Sequence, residues 1–322
     1  MPAYSTTDFL TAVRRLAYLP DAGDIDATEI LSRADDEMVT IIADAVKAGR
    51  EGFWLTSEDI TLLPDTRAYQ MPRRALGRGV VGVQMVNSQG TAFTIPQIDP
   101  VTGWNGRTTA ITSYCYSFQA DKLVFPTAPP SNYLLRVLYL RRPSRLVEVS
   151  EGAAIVSAAN STQLAVTDVP TWMAAINSDL PPLYVDIIRG DASFDQPYVD
   201  LLAIDYNAGL GALTLGSDID TALFVDTDAI SNDRVDYVCK RDESVYPVLP
   251  LELIPVLEAA VSMRILESLK DAQGAEMMGA TLMQRKRAAV DIIEPRNQEG
   301  SRPIVRIRSP LRQTFGIGRR WR

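Results

Sequence analysis

Apolar residues recur at steps of three and four only toward the two ends of this chain, and the long stretch between is cut into short runs by glycine, proline and asparagine. That division constrains the fold more than any motif, because a period of 3.6 and a period of 2 bury different faces and cannot be exchanged. Near the N-terminus Phe9, Leu10, Val13, Leu16 and Ala17 form one short face closed by Pro20. A second face, made of Ile30, Leu31, Ala34, Met38, Ile41, Ile42 and Ala45, follows Asp26 and Glu29 at capping-box spacing and ends at Lys47, Gly49 and Gly52. Toward the C-terminus Ile254, Leu257, Val261, Ile265 and Leu269 predict a third helix, with Pro255 admissible only in its first turn. Ala272, Gln273 and Gly274 are expected to break it, and Met278, Leu282, Ala289 and Ile293 predict a helix running back, stopped by Pro295.

Between these helices, β-branched and aromatic runs predict strands over 53–63, 67–71, 80–86, 91–98, 114–118, 122–125 and 133–139, with a hairpin turn at 87–90. A second β-rich block is expected from about residue 148, over 154–156, 162–166, 184–188, 201–206, 212–215 and 235–239. No internal repeat is present, which argues against a solenoid or a propeller. The expected class is α+β: a helical bundle formed by the N- and C-terminal helices, with inserted antiparallel β domains and an extended C-terminal arm. The corresponding divisions are 1–52, 53–145, 146–247, 248–294 and 295–322.

The last segment has a composition of its own. After Gly300 the chain holds seven arginines and no Asp or Glu, interleaved with large apolar residues, whereas the 25 cations and 40 anions of residues 1–299 leave about −15. Such asymmetry points to an interaction arm, and Pro303 and Pro310 forbid helix and stiffen the segment. Its candidate contact residues are Arg302, Ile304, Val305, Arg306, Ile307, Arg308, Leu311, Arg312, Phe315, Ile317, Arg319, Arg320, Trp321 and Arg322. Arg285, Lys286 and Arg287, near the end of the last helix, suit its dipole and are candidate contacts between subunits.

The chain has no histidine, which removes Ser-His-Asp and Cys-His nucleophile systems and histidine-based zinc sites. Neither a phosphate-binding glycine loop nor a CxxC pair occurs, and Cys115 and Cys239 are single and far apart, as in a reducing compartment. Gly209 to Gly211 reads as a loop. Asp226, Asp228, Asn232 and Asp233 approach a calcium loop but lack its glycine and terminal glutamate, and solvated turns are the ordinary explanation for them. Apolar runs fall well short of the ~18 residues of a membrane span, and the first residues carry no signal-peptide pattern. The expectation is a protein without cofactor, metal or catalytic turnover, not associated with a membrane.

The run Ile30 to Met38, followed by Glu51-Gly52-Phe53-Trp54-Leu55-Thr56 and Ala68-Tyr69-Gln70-Met71-Pro72, resembles head-to-tail adaptor proteins of tailed bacteriophages. Leu249-Pro250-Leu251-Glu252-Leu253-Ile254-Pro255, the break near Gly274, a second helix and the ending Gly318-Arg319-Arg320-Trp321-Arg322 are similar to their C-terminal region. The likeness covers roughly residues 1–100 and 245–322, and residues 146–245 depart from the compact helical version of the family. It implies a structural virion protein of the neck, assembled in the bacterial cytoplasm, forming a twelve-fold ring beneath the portal. By the same resemblance the C-terminal arm docks on the portal protein, the other face receives tail or nozzle proteins, and double-stranded DNA passes through the lumen. An acidic body agrees with a lumen that does not grip phosphates, and equally with ordinary solubility.

Two other classes compete. Trp172, Tyr184, Tyr198 and Tyr206 could offer stacking faces for a glycan or receptor, and Asp191, Asp195 and Asp200 could supply the paired carboxylates of a depolymerase. The arginine-rich tail could instead make the chain a nucleic-acid-binding module, whose grip would be steeply salt-dependent.

Overall fold

A computed structural model describes residues 4–19, 25–47, 51–98, 114–178, 182–190, 196–221 and 235–293. Its class is α+β. Four helices are present among these residues: α1 (Thr6–Leu16), α2 (Ala27–Lys47), α3 (Ile254–Ser268) and α4 (Ala272–Ile293).

Helix α1 opens on a capping box in which Ser5 Oγ accepts from the Asp8 N–H at 3.3 Å and the Asp8 carboxylate accepts from the Ser5 N–H at 3.0 Å. The box expected at Asp26 and Glu29 does not form this way, because the Glu29 carboxylate turns to Arg33, one helical turn on, at 2.5 Å. Every residue of the anticipated α2 stripe from Ile30 to Ala45 is buried. Helix α3 is apolar nearly all round, with Val256, Leu257, Ala259, Ala260, Val261 and Ile265 at 1% exposure or less, so it needs neighbours on several sides. Those neighbours are α1, α2 and α4, whose buried residues share one apolar cluster with it and with Trp54, Leu140 and Leu146. The single hydroxyl in its buried face, Ser262, donates to the Val13 carbonyl at 3.4 Å.

The break between α3 and α4 falls earlier than glycine content suggests. Lys270 takes a left-handed φ of 61°, and Asp271 then accepts the Gly274 N–H at 2.9 Å, so Gly274 sits inside the first turn of α4. Pro255 lies in the first turn of α3, the position a helix tolerates.

The first β region holds β1 (Leu55–Thr61), β2 (Ala68–Gln70), β3 (Ala75–Val86), β4 (Ala92–Ile95), β5 (Ser117–Gln119), β6 (Lys122–Val124) and β7 (Leu134–Arg141). They form a four-stranded sheet in the order β1-β7-β3-β4 and a three-stranded sheet in the order β2-β6-β5, all antiparallel. Strand β7 turns Leu135, Val137 and Tyr139 into a core shared with Tyr69, Leu123 and Phe125, while Arg136 faces outward and grips Asp59 of β1 with two bonds of 2.7 Å. Strand β3 begins at Ala75, five residues before the strand expected over 80–86. Gly77, at φ 58°, and Gly79, whose absent Cβ would lie 2.8 Å from the Leu76 carbonyl, let it bulge there and still pair with β7.

After the two-residue β8 (Arg145–Leu146), six strands close a barrel: β9 (Ala153–Asn160), β10 (Gln163–Thr167), β11 (Leu183–Ile188), β12 (Tyr198–Asn207), β13 (Ala212–Leu215) and β14 (Asp236–Lys240). The order around it is β10-β13-β12-β11-β14-β9, antiparallel throughout, and closure removes the open edges of a sheet. Leu164, Val185, Ile187, Leu213 and Val238 fill the interior at 0% exposure. A short parallel pair, β15 (Glu243–Ser244) with β8, ties the barrel's exit to the strand entering it.

Candidate functional site

Four arginines meet where the sheet, the barrel and the helices join. Arg73 and Arg74 precede β3, Arg142 and Arg145 follow β7, and a bond of 2.7 Å from the Arg142 N–H to the Arg74 carbonyl holds the two segments together. A third segment is stapled to them by the Arg145 N–H, which donates to the Asp242 carbonyl at 2.7 Å. With Pro143 and Asp242, these arginines line a cleft of about 280 Å³.

One wall is a buried ionic network in which Arg74 Nε alone of that guanidinium's nitrogens is left without a hydrogen bond. Arg74, 4% exposed, pairs with the fully buried Asp186 of β11 and reaches Asp242 at 3.2 Å, with Asp200 at 3.8 Å. The Asp186 carboxylate also accepts the backbone N–H groups of Asp200 at 2.9 Å and Asp242 at 2.8 Å. Both of those donors sit at left-handed φ, 58° and 66°, a conformation that aspartate tolerates better than most residues and that this one carboxylate pins. Gln196, 4% exposed, accepts from Arg74 at 3.5 Å and donates to Ser144 Oγ at 2.8 Å. Arg241 grips Asp200 at 2.6 Å and lies over the Tyr184 ring at 4.8 Å.

Burial pushes the Asp186 carboxyl upward against the pull of Arg74 and the two N–H groups. It likewise raises Glu58, which Asp200 repels and Arg241 attracts, and takes the Tyr139 phenol up to about 12. On the helical side Asp35 of α2 accepts the Leu146 N–H at 2.7 Å, and burial carries its carboxyl up to about 7. The opposite wall differs. Arg142 is exposed and its guanidinium has no hydrogen bond or ion pair among the described residues, and Arg145 is held only loosely, 4.0 Å from Asp35.

The sequence did not single out this cluster, although the doublets Arg73-Arg74 and Arg141-Arg142, each placed between strands of an acidic chain, were its available signal. The residues that were singled out lie elsewhere. Arg285 and Lys286 are engaged within the chain, Arg285 with the Pro255 carbonyl at 2.6 Å and Glu258 at 3.5 Å, Lys286 with Asp44 at 3.2 Å. Arg287 is exposed on the same helix. All fourteen candidate residues from Arg302 to Arg322, Asp191, Asp195 and the aspartates of the calcium-like loop fall outside the described residues.

The four aromatics proposed as a stacking face do not gather into one. Tyr206 belongs to the barrel interior, Tyr198 packs half-buried against that core, Tyr184 is covered by Arg241, and Trp172 donates to the Glu151 carbonyl at 2.8 Å with Lys240 above its ring. Asp200, the described member of the carboxylate set, is committed to Arg241. Among the described residues no group of three or more acidic or thiol side chains is arranged to hold a metal ion, and no helix is long and apolar enough to cross a membrane. Cys239 is fully buried, its thiol driven upward by desolvation and so unreactive. The chain matches no known protein family and no curated protein.

Proposed function

We propose that this protein is a structural part of a tailed-phage virion, a head-to-tail adaptor that rings the DNA channel beneath the portal. The observation that carries the reading is the convergence of the segments that resemble that family. Ile30, Leu31, Ala34 and Met38 of the first segment, Trp54 of the second and Leu249 and Leu253 of the closing one pack into a single apolar core, although some two hundred residues of β structure separate them. In this reading the terminal helices are the bundle that forms the ring, the β sheets and barrel are insertions projecting from it, and α4 delivers the chain into the arginine-rich arm.

The arm docks on the portal protein, with alternating apolar side chains filling pockets while its main chain adds hydrogen bonds. Assembly is templated by the portal, and the ring is twelve-fold by resemblance. The protein acts in the virion neck, contacts tail or nozzle proteins on its other face, and performs no catalytic turnover. The test is to mix the full chain, and a form truncated after Glu299, with purified portal rings and image the products. The full chain should decorate the rings and the truncated form should not; undiminished occupancy by the truncated form would remove the arm from the assignment.

A further inference from the structure

We propose that the cleft between Arg74 and Arg145 is a binding site for a phosphoryl group, a function separate from the adaptor role. Charge is the first argument. Four arginines line the cleft, with Asp242 the one acidic residue of its lining, on a chain whose overall balance is acidic. Arg74 is spent on buried Asp186, and Arg73 and Asp242 face each other at 3.3 Å. What remains is Arg142, without an ionic partner among the described residues, and Arg145, whose nearest carboxylate oxygen is 4.0 Å away. Arg142, and Arg145 beyond its attraction to Asp35 and Glu243, are thus available to an anion.

Preorganisation is the second argument. The main-chain bonds from Arg142 to Arg74 and from Arg145 to Asp242 fix the three segments before any ligand arrives. The buried network behind Arg74 keeps that wall from collapsing inward. The ligand class follows from geometry. A guanidinium presents a planar fork of donors that one carboxylate saturates, whereas a tetrahedral phosphoryl group has enough oxygens for two forks and carries close to two negative charges. A cleft of about 280 Å³ admits such a group with a few waters, whether it is free or carried on a larger molecule that stays outside.

The test uses the full chain and inorganic phosphate as probe. Calorimetric titration, with chloride replacing phosphate at equal ionic strength as the blank, should show saturable binding. In the variant Arg142→Gln/Arg145→Gln the affinity should fall by more than ~10-fold, since charge-assisted bonds are the stronger kind. Both replaced side chains are exposed, so the melting curve of the variant in chloride should overlay that of the parent, which separates lost binding from lost folding. A fluorescent DNA duplex distinguishes the source of the phosphoryl group. Displacement by phosphate, together with loss in the variant, assigns it to nucleic acid; no displacement assigns it to a free phosphate or phosphate ester. Absence of saturable phosphate binding, binding that the variant retains, or a glutamate-rich peptide that binds at these arginines more tightly than phosphate would each overturn the proposal.

Discussion

Arg74 and Asp186 form a buried ion pair that joins the turn before β3 to strand β11 of the barrel, with 4% and 0% of their side chains exposed. Such a pair costs much to desolvate, and its worth is felt mainly when one partner is removed. Arg74→Met leaves Asp186 charged and buried, with only two backbone donors, and should cost about 3–5 kcal/mol in denaturant unfolding. Asp186→Asn should cost less, because Arg74 keeps Asp242 at 3.2 Å and Asp200 at 3.8 Å. The double variant should be more stable than the sum of the two losses by about 0.5–3 kcal/mol, and strictly additive losses would show that the two groups act independently.

Asp35 gives stability a dependence on pH. Its carboxyl rises from the ordinary 3.8 to about 7 on folding, chiefly through burial, with the Leu146 N–H and Arg145 opposing. Between those values the unfolded chain releases the proton and the folded chain keeps it, so the unfolded state binds fewer protons and stability falls as pH rises. The contribution is fully present below about pH 4 and lost above about pH 7. Glu58, Asp186 and Glu243 are raised by burial too, whereas hydrogen bonds to Arg136 and Gln70 lower Asp59 and Asp121, so a variant is needed to isolate one residue. Asp35→Asn cannot titrate and retains a carbonyl oxygen for the Leu146 N–H. Its stability relative to the parent should improve between pH 4.5 and pH 8 by a few kcal/mol, at ~1.4 kcal/mol per decade. Melting curves that shift in parallel at the two pH values would refute this.

Gly190 follows β11 at a close approach. A Cβ there would lie 2.2 Å from the Val235 carbonyl oxygen and 2.9 Å from Tyr246 Oη, and the first of these is backbone that cannot swing aside. Gly190→Ala should therefore destabilise by about 1–3 kcal/mol or more, as overpacking does. Gly52→Ala is the control, with nothing within 4 Å of its added methyl. Equal unfolding midpoints for the two variants would contradict the packing at Gly190.

What could be read in the sequence was whatever a local window contains. The apolar stripe of α2 is buried residue for residue, and the turn at Asn87 forms as expected, with Asn87 Oδ1 accepting the N–H groups of Gln89 and Thr91 and Gly90 at φ 80°. Barrel closure was not legible. It depends on β14 pairing with β9 through partners such as Val238 and Ala153, far apart in the chain, and alternation within each strand is the same in an open sheet. The arginine cluster was hidden for the same reason, since Arg74, Arg142 and Asp242 come from three separate segments. The helix break was misplaced because glycine usually marks it, whereas Lys270 took the left-handed position and Asp271 did the capping.

The basic triplet near the end of α4 divides into two roles. Arg285 and Lys286 close contacts inside the chain, to Glu258 and the Pro255 carbonyl in one case and to Asp44 in the other. Arg287 is exposed, and its replacement removes no contact within the described chain. Arg285→Ala should lower the stability of the free protein, by about 1 kcal/mol for a partly exposed charge-assisted bond. Arg287→Glu should leave the melting temperature of the free protein unchanged and reduce ring formation on portal particles, if subunits meet along this helix. Mass photometry of portal mixtures measures the second effect directly. Full rings with Arg287→Glu would move the subunit contact away from α4, whereas rings lost only with Arg285→Ala, in step with its lowered stability, would mean that the helix serves the monomer alone.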